Sequence, residues 1–153
     1  MIKLKLNISS LKYIPILLII SFSFNSCEEP EDYIPYVYVN WEVYLANTSN
    51  SNLRIAPSYK IIPDQGVNGI VLYRQSMLEG NDDFIAFDLT CTYNPADNCV
   101  LTVDSSGFIL ECPCCDSEFF ITDGFPSAPP AKWRLKQYRT SYNSISKVVR
   151  IYN

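Results

Sequence analysis

The sequence predicts an all-β domain, a sandwich or partly open barrel of roughly eight to ten short strands. Three observations predict it. Aromatic and β-branched residues recur in short runs separated by turn residues, with eleven tyrosines, eight phenylalanines and ten prolines among 153 residues. No run rich in Ala, Glu, Lys and Leu reaches helical length. The stretch from Cys91 to Phe119 places five of the six cysteines in two clusters that flank a short hairpin. At this length one domain with a real core is expected, and not two.

Met1 to Lys12 forms a positive segment, and Tyr13 to Phe24 an apolar one of signal-peptide length. The latter is too short and too Pro-interrupted to favour a permanent membrane span. Phe24-Asn25-Ser26-Cys27 follows. A small residue directly before a lone cysteine at this point resembles a bacterial lipoprotein cleavage site. The resemblance implies that residues 1–26 are removed and that lipid on Cys27 anchors the chain without spanning the membrane. An ordinary secretory signal followed by an unrelated cysteine is the alternative. Glu28-Glu29-Pro30-Glu31-Asp32 makes residues 27–36 a solvated acidic tether. It is similar to the surface-export signal of some outer-membrane lipoproteins, which implies a place in the bacterial cell envelope, at the outer membrane.

The folded domain is expected over residues 37–153. Tyr36 to Leu45 alternates aromatic and β-branched residues and reads as a strand pair or one long bent strand. Ala46 to Ser51 is a polar loop, Tyr59 to Ile62 a short strand, and Pro63 to Gly66 a turn. Gly69 to Arg74 and Phe84 to Leu89 are strands, with a loop over Leu78 to Asp83. Val100 to Val103 and Phe108 to Glu111 pair through Asp104-Ser105-Ser106-Gly107, where Asp and Ser start a turn and Gly supplies a positive φ. Glu118 to Thr122 is a strand closed by Asp123-Gly124. Phe125 to Lys132 is a Pro-rich loop. Trp133 to Ser141 and Lys147 to Tyr152 complete the set, and Trp41 and Trp133 read as core residues.

Charge and composition exclude several functions. The chain has twelve Lys and Arg against sixteen Asp and Glu, and three of the lysines precede residue 27. The remainder is therefore distinctly acidic, which argues against nucleic-acid binding. The absence of histidine removes the Ser-His-Asp and Cys-His pairs and any imidazole base, so no catalytic constellation is found. Asp82, Asp83 and Asp104 lie at predicted turns and read as solvated charges.

Cys112-Pro113-Cys114-Cys115-Asp116-Ser117-Glu118-Phe119 resembles the second box of Rieske iron–sulfur domains, C-P-C-H-G-S-x-Y/F. Cys91-Thr92-Tyr93 resembles their first box, C-T-H. The eighteen residues between Tyr93 and Cys112 are close to the family's interval. The ending from Gly124 through the Pro-rich loop to Leu135 is also similar. The resemblance implies a Rieske-like fold, a 2Fe-2S cluster and a Pro-rich loop folded over it. Cys91 and Cys112 match the two thiolates on one iron, while Tyr93 and Cys115 stand where two histidines hold the other. Ser117 matches the residue that hydrogen-bonds a bridging sulfide. Phe119 replaces a tyrosine whose hydroxyl is then missing, and Asp116 replaces a glycine. Cys114 matches one half of the family's disulfide, and Cys99 would be the other half, displaced by the insertion Asn94 to Asn98.

Three uses of these cysteines stay open. In the first the fold has lost its cluster, leaving disulfides and one free thiol in a non-enzymatic module. In the second Cys91, Cys112 and Cys115, with Tyr93 or Cys99, hold iron–sulfur or another metal, giving an electron carrier. In the third Cys112 and Cys115 form a redox pair, although their predicted turn lacks the helix dipole such pairs use.

Overall fold

A computed structural model describes residues 34–153; the expected signal segment, the expected lipidation site Cys27 and the acidic run lie outside the described residues. Among the described residues there are ten strands: β1 Asn40–Tyr44, β2 Ser58–Ile62, β3 Ile70–Arg74, β4 Phe84–Asp88, β5 Thr102–Val103, β6 Ile109–Glu111, β7 Glu118–Phe120, β8 Pro126–Ala128, β9 Gln137–Asn143 and β10 Val148–Tyr152. They form a six-stranded sheet in the order β1-β10-β9-β4-β3-β2 and a four-stranded sheet in the order β5-β6-β7-β8. Every strand pair is antiparallel.

β3 and β4 are the centre of the molecule because both of their faces are covered. Ile70, Leu72, Phe84 and Ala86 face one core with Val43, Leu53, Tyr138, Val149 and Ile151. Val71, Tyr73, Phe87 and Leu89 face a second core with Leu101, Leu110, Phe119, Ile121 and Leu135. Burial on both faces explains why these strands read as continuous apolar runs while β9 and β10 alternate. Cys91, Cys99 and Cys112 belong to the second core. The sulfur loops are therefore rooted in packed apolar side chains.

Hydrogen-bonding partners set several boundaries that side-chain pattern misplaced. Only Asn40–Tyr44 of the long first run pairs, because its partner β10 ends at Tyr152. The preceding residues are tied instead by Asn153, whose side chain accepts from the Val39 N–H at 3.1 Å and donates to the Val37 carbonyl at 2.7 Å. Packing also begins before residue 37, since Ile34 is buried and Lys136 donates to the Pro35 carbonyl at 2.7 Å. The polar loop after β1 winds into 3-10 turns over Thr48–Arg54 around the buried Leu53. The Pro-rich loop contains β8, an edge strand, which is where a sheet tolerates residues lacking an N–H. β9 begins at Gln137 rather than Trp133.

Two readings of side-chain environment are corrected. Trp41 is 43% exposed and Trp133 45%, so neither is a core residue. Within β1 only Val43 turns inward, and Trp133 lies outside the strands. Asp83 is not a solvated charge, being only 1% exposed. Its carboxylate meets buried Arg74 at 3.4 Å and accepts from the Ser76 hydroxyl at 2.6 Å and from the N–H groups of Leu78 and Glu79. Asp104 does act as a turn residue, accepting from Ser106, Gly107 and Ile109 in the β5–β6 hairpin, with Gly107 at φ +78°.

Candidate sulfur site

Two loops at one end of the smaller sheet carry the cysteines. The first leaves β4: the Cys91 N–H donates to the Cys99 carbonyl at 3.1 Å, drawing residues 91–99 into a closed loop. The second follows β6: the Cys112 N–H donates to the Ser117 carbonyl at 2.9 Å, and the Asp116 N–H to the Cys112 carbonyl at 3.0 Å. Asp116 adopts φ +60° to complete this tight turn, the conformation that a glycine would take without strain. Residues 92 and 133 join the neighbouring segments, with the Thr92 hydroxyl donating to the Trp133 carbonyl at 2.6 Å.

Cys99 and Cys114 form a disulfide across the two loops, with 6.3 Å between their Cα atoms. The extra residues Asn94 to Asn98 are taken up by a 3-10 turn ending at Asn98 in the left-handed region. Cys91, Cys112 and Cys115 remain as thiols. The described cysteines thus make one disulfide and three thiols, whereas the first of the three uses would leave a single thiol. The paired cysteines close the loops; the other three meet between them.

The three thiol sulfurs lie within 4.8 Å of one another. Cys91 Sγ is 3.6 Å from Cys115 Sγ, and Cys115 Sγ is 3.2 Å from Ser117 Oγ. Ser117 is fully buried and its oxygen accepts the Ala131 N–H at 2.9 Å, which leaves the hydroxyl proton to point at Cys115. Ala131 belongs to the segment expected to fold against the site. Tyr93, by contrast, has its side chain 52% exposed; its backbone N–H is what approaches the Cys91 sulfur. Phe119 is fully buried in the second core and presents no hydroxyl.

These contacts differentiate the thiols. Burial pushes Cys91 up to about 12, and a hydrogen bond with Cys112 adds to the effect. Burial also opposes ionisation of Cys115, but the Ser117 hydroxyl and N–H and the neighbouring thiols outweigh it and hold this group below the ordinary thiol value. The lower-pKa thiol is the half-exposed one, the arrangement associated with chemical reactivity.

Exchange between thiol and disulfide is poorly aligned. Cys112 Sγ is 3.6 Å from Cys99 Sγ. In-line displacement of Cys114 would separate Cys112 and Cys114 by about 5.6 Å, given a bond of about 2.0 Å. Those three sulfurs instead lie within 4.8 Å of one another. Two surface grooves lie elsewhere, one lined by Asn40, Trp41, Tyr44 and Arg150, the other beside the β5–β6 turn; neither is lined by a cysteine.

No protein-family model matches the chain, and no curated protein matches it. Among solved structures, it is similar to the cyanobacterial plasma membrane Rieske protein PetC3 from Synechocystis PCC 6803, with 19% identity and a TM-score of 0.50 over 77% of this chain and 100% of that one. A chain of the complex of reduced oxygenase and oxidized ferredoxin in carbazole 1,9a-dioxygenase is 19% identical, with a TM-score of 0.44 over 66% of this chain and 86% of that one. The likeness to PetC3 shows that the two sheets form a Rieske-like all-β fold.

Proposed function

We propose that this Rieske-type domain belongs to an exported, lipid-anchored and non-enzymatic module of the bacterial cell envelope, whose cluster site has become an altered sulfur centre. The contact between Cys91 and Cys115 carries the reading. In the fold's usual site the matching positions serve different irons, so their donor atoms stand on opposite sides of a binuclear cluster. Here those two sulfurs touch, and the chain has no histidine to hold an outer iron. This donor set lacks the two imidazoles of the usual Rieske cluster. Export and anchoring are supported by the basic and apolar segments before Cys27 and by the acidic run after it.

A second reading is an iron–sulfur electron carrier with Cys91, Cys112 and Cys115 as ligands. It is favoured by the architecture shared with PetC3 and by the convergence of three thiols. Anaerobic purification of the full chain, followed by iron, sulfide and visible-absorption measurements, separates the two. The altered-site reading expects no stoichiometric iron or sulfide; about two irons per chain with matching sulfide would overturn it. For the anchor, Cys27→Ser is expected to release the protein from the membrane fraction, and retention there would count against lipidation.

A further inference from the structure

We propose that Cys91, Cys112 and Cys115 form a site for a single thiophilic d10 cation of the zinc(II) or copper(I) kind. The proposal rests on the reading that the centre does not hold the cluster usual for this architecture. Its basis is the mutual placement of the three sulfurs, all within 4.8 Å, with Cys91 and Cys115 at 3.6 Å. Thiolates bound at about 2.3 Å to one tetrahedral ion stand about 3.8 Å apart. A common ion therefore needs only small shifts of the side chains.

The donor chemistry narrows the choice of ion. All three donors are sulfur, with no carboxylate in the group, and soft thiolates select zinc(II) and copper(I) over magnesium, calcium or manganese. Cys99 and Cys114 are consumed in the disulfide, which joins the loops and holds the remaining sulfurs together. Ser117, itself positioned by Ala131, orients Cys115 as outer hydrogen-bond partners orient metal ligands.

Cys91 and Cys112 are buried, while Cys115 is half-buried. The ion consequently sits at the rim of the second core, with one side reachable from solvent. Zinc(II) would take a water or an exogenous ligand there; copper(I) is satisfied by the three sulfurs. Binding releases thiol protons to solvent, forms metal–sulfur bonds and transfers no electrons.

The test is a titration of the full chain, purified anaerobically with the disulfide intact, against chelator-buffered zinc(II) and, separately, copper(I). Cobalt(II) serves as an optical probe of tetrahedral sulfur coordination. One equivalent is expected to bind and to protect the three thiols from alkylation. Cys115→Ala, chosen because this side chain is only half-buried, is expected to weaken binding by at least about 100-fold, and Ser117→Ala by about 10-fold. Thermal melting of each variant verifies that it folds. Cys27→Ser is expected to bind as the parent does. Absence of saturable binding by either cation, or unchanged affinity in folded Cys115→Ala, would overturn the site while leaving the altered-site reading intact. Two irons with matching sulfide in the isolated protein would instead overturn both.

Discussion

The sulfurs of Cys91 and Cys115 lie 3.6 Å apart although 24 positions separate the two residues in the chain. Their environments differ: Cys91 is pushed up to about 12, chiefly by burial, whereas hydrogen bonds from Ser117 and the neighbouring thiols overcome burial and lower Cys115. In metal-free protein at pH 8, Cys115 is expected to alkylate faster than Cys91. Ser117→Ala removes the hydroxyl that favours the thiolate, so the alkylation profile of Cys115 moves to higher pH. Peptide mass spectrometry across a pH series reads both effects, and equal rates at Cys91 and Cys115 would contradict the assignment.

The Cys99–Cys114 disulfide closes a 15-residue separation. A crosslink of that span contributes about 3 kcal/mol by restricting the unfolded chain. Cys114→Ser is the suitable variant, because Cys114 is exposed while Cys99 is buried. Denaturant unfolding should show a lower midpoint with a loss of this size. An unchanged midpoint would mean that the bridge leaves the unfolded ensemble unrestricted.

Asp83 is a buried charge whose removal should weaken the fold. Burial works against its ionised form, but the Ser76 hydroxyl, the N–H groups of Leu78 and Glu79, and Arg74 together hold the carboxyl below its ordinary value. Its stabilising contribution is therefore complete above the unfolded value, about 3.9, and is lost as pH falls through the lower folded value. Asp83→Asn leaves buried Arg74 without its closest carboxylate and is expected to cost about 3 kcal/mol at pH 7. Melting curves should begin to converge as pH falls below about 3.9, because the parent then loses what the variant already lacks. Parallel curves throughout would sink the explanation.

Gly124 turns the chain between β7 and β8 at φ +73°, and a Cβ there would stand 2.7 Å from the Phe87 ring. Backbone strain of about 1 kcal/mol and an overpacking cost of about 2 kcal/mol both act on Gly124→Ala. Phe87 belongs to the second core, as do Cys91 and Cys112, so the loss should come with faster alkylation of these buried thiols. Thermal unfolding combined with thiol labelling tests this; a variant as stable as the parent would show that the ring moves aside without cost.

The sequence by itself determined the all-β class, most strand centres and the two sulfur-bearing segments. Alternation of apolar residues is imposed by local backbone geometry, and turns such as Asp104 to Gly107 are made by their own side chains. The C-P-C-C-D-S run was legible as a resemblance for the same reason: its turn is local, closed by hydrogen bonds between Cys112 and its near neighbours.

Only the tertiary structure decided which strands ended where, because a strand lasts as long as its partner does. β1 stops pairing where β10 ends, and β8 forms where β7 offers an edge. It also decided that Trp41 and Trp133 face solvent and that Asp83 is buried against Arg74. Most of all it decided the site. Cys91 and Cys115 meet because β4 and β6 deliver separate loops to one place and a disulfide ties those loops together, leaving three thiols in contact. Spacing along the chain carries no such information, since distance between loops is set by the sheets that raise them.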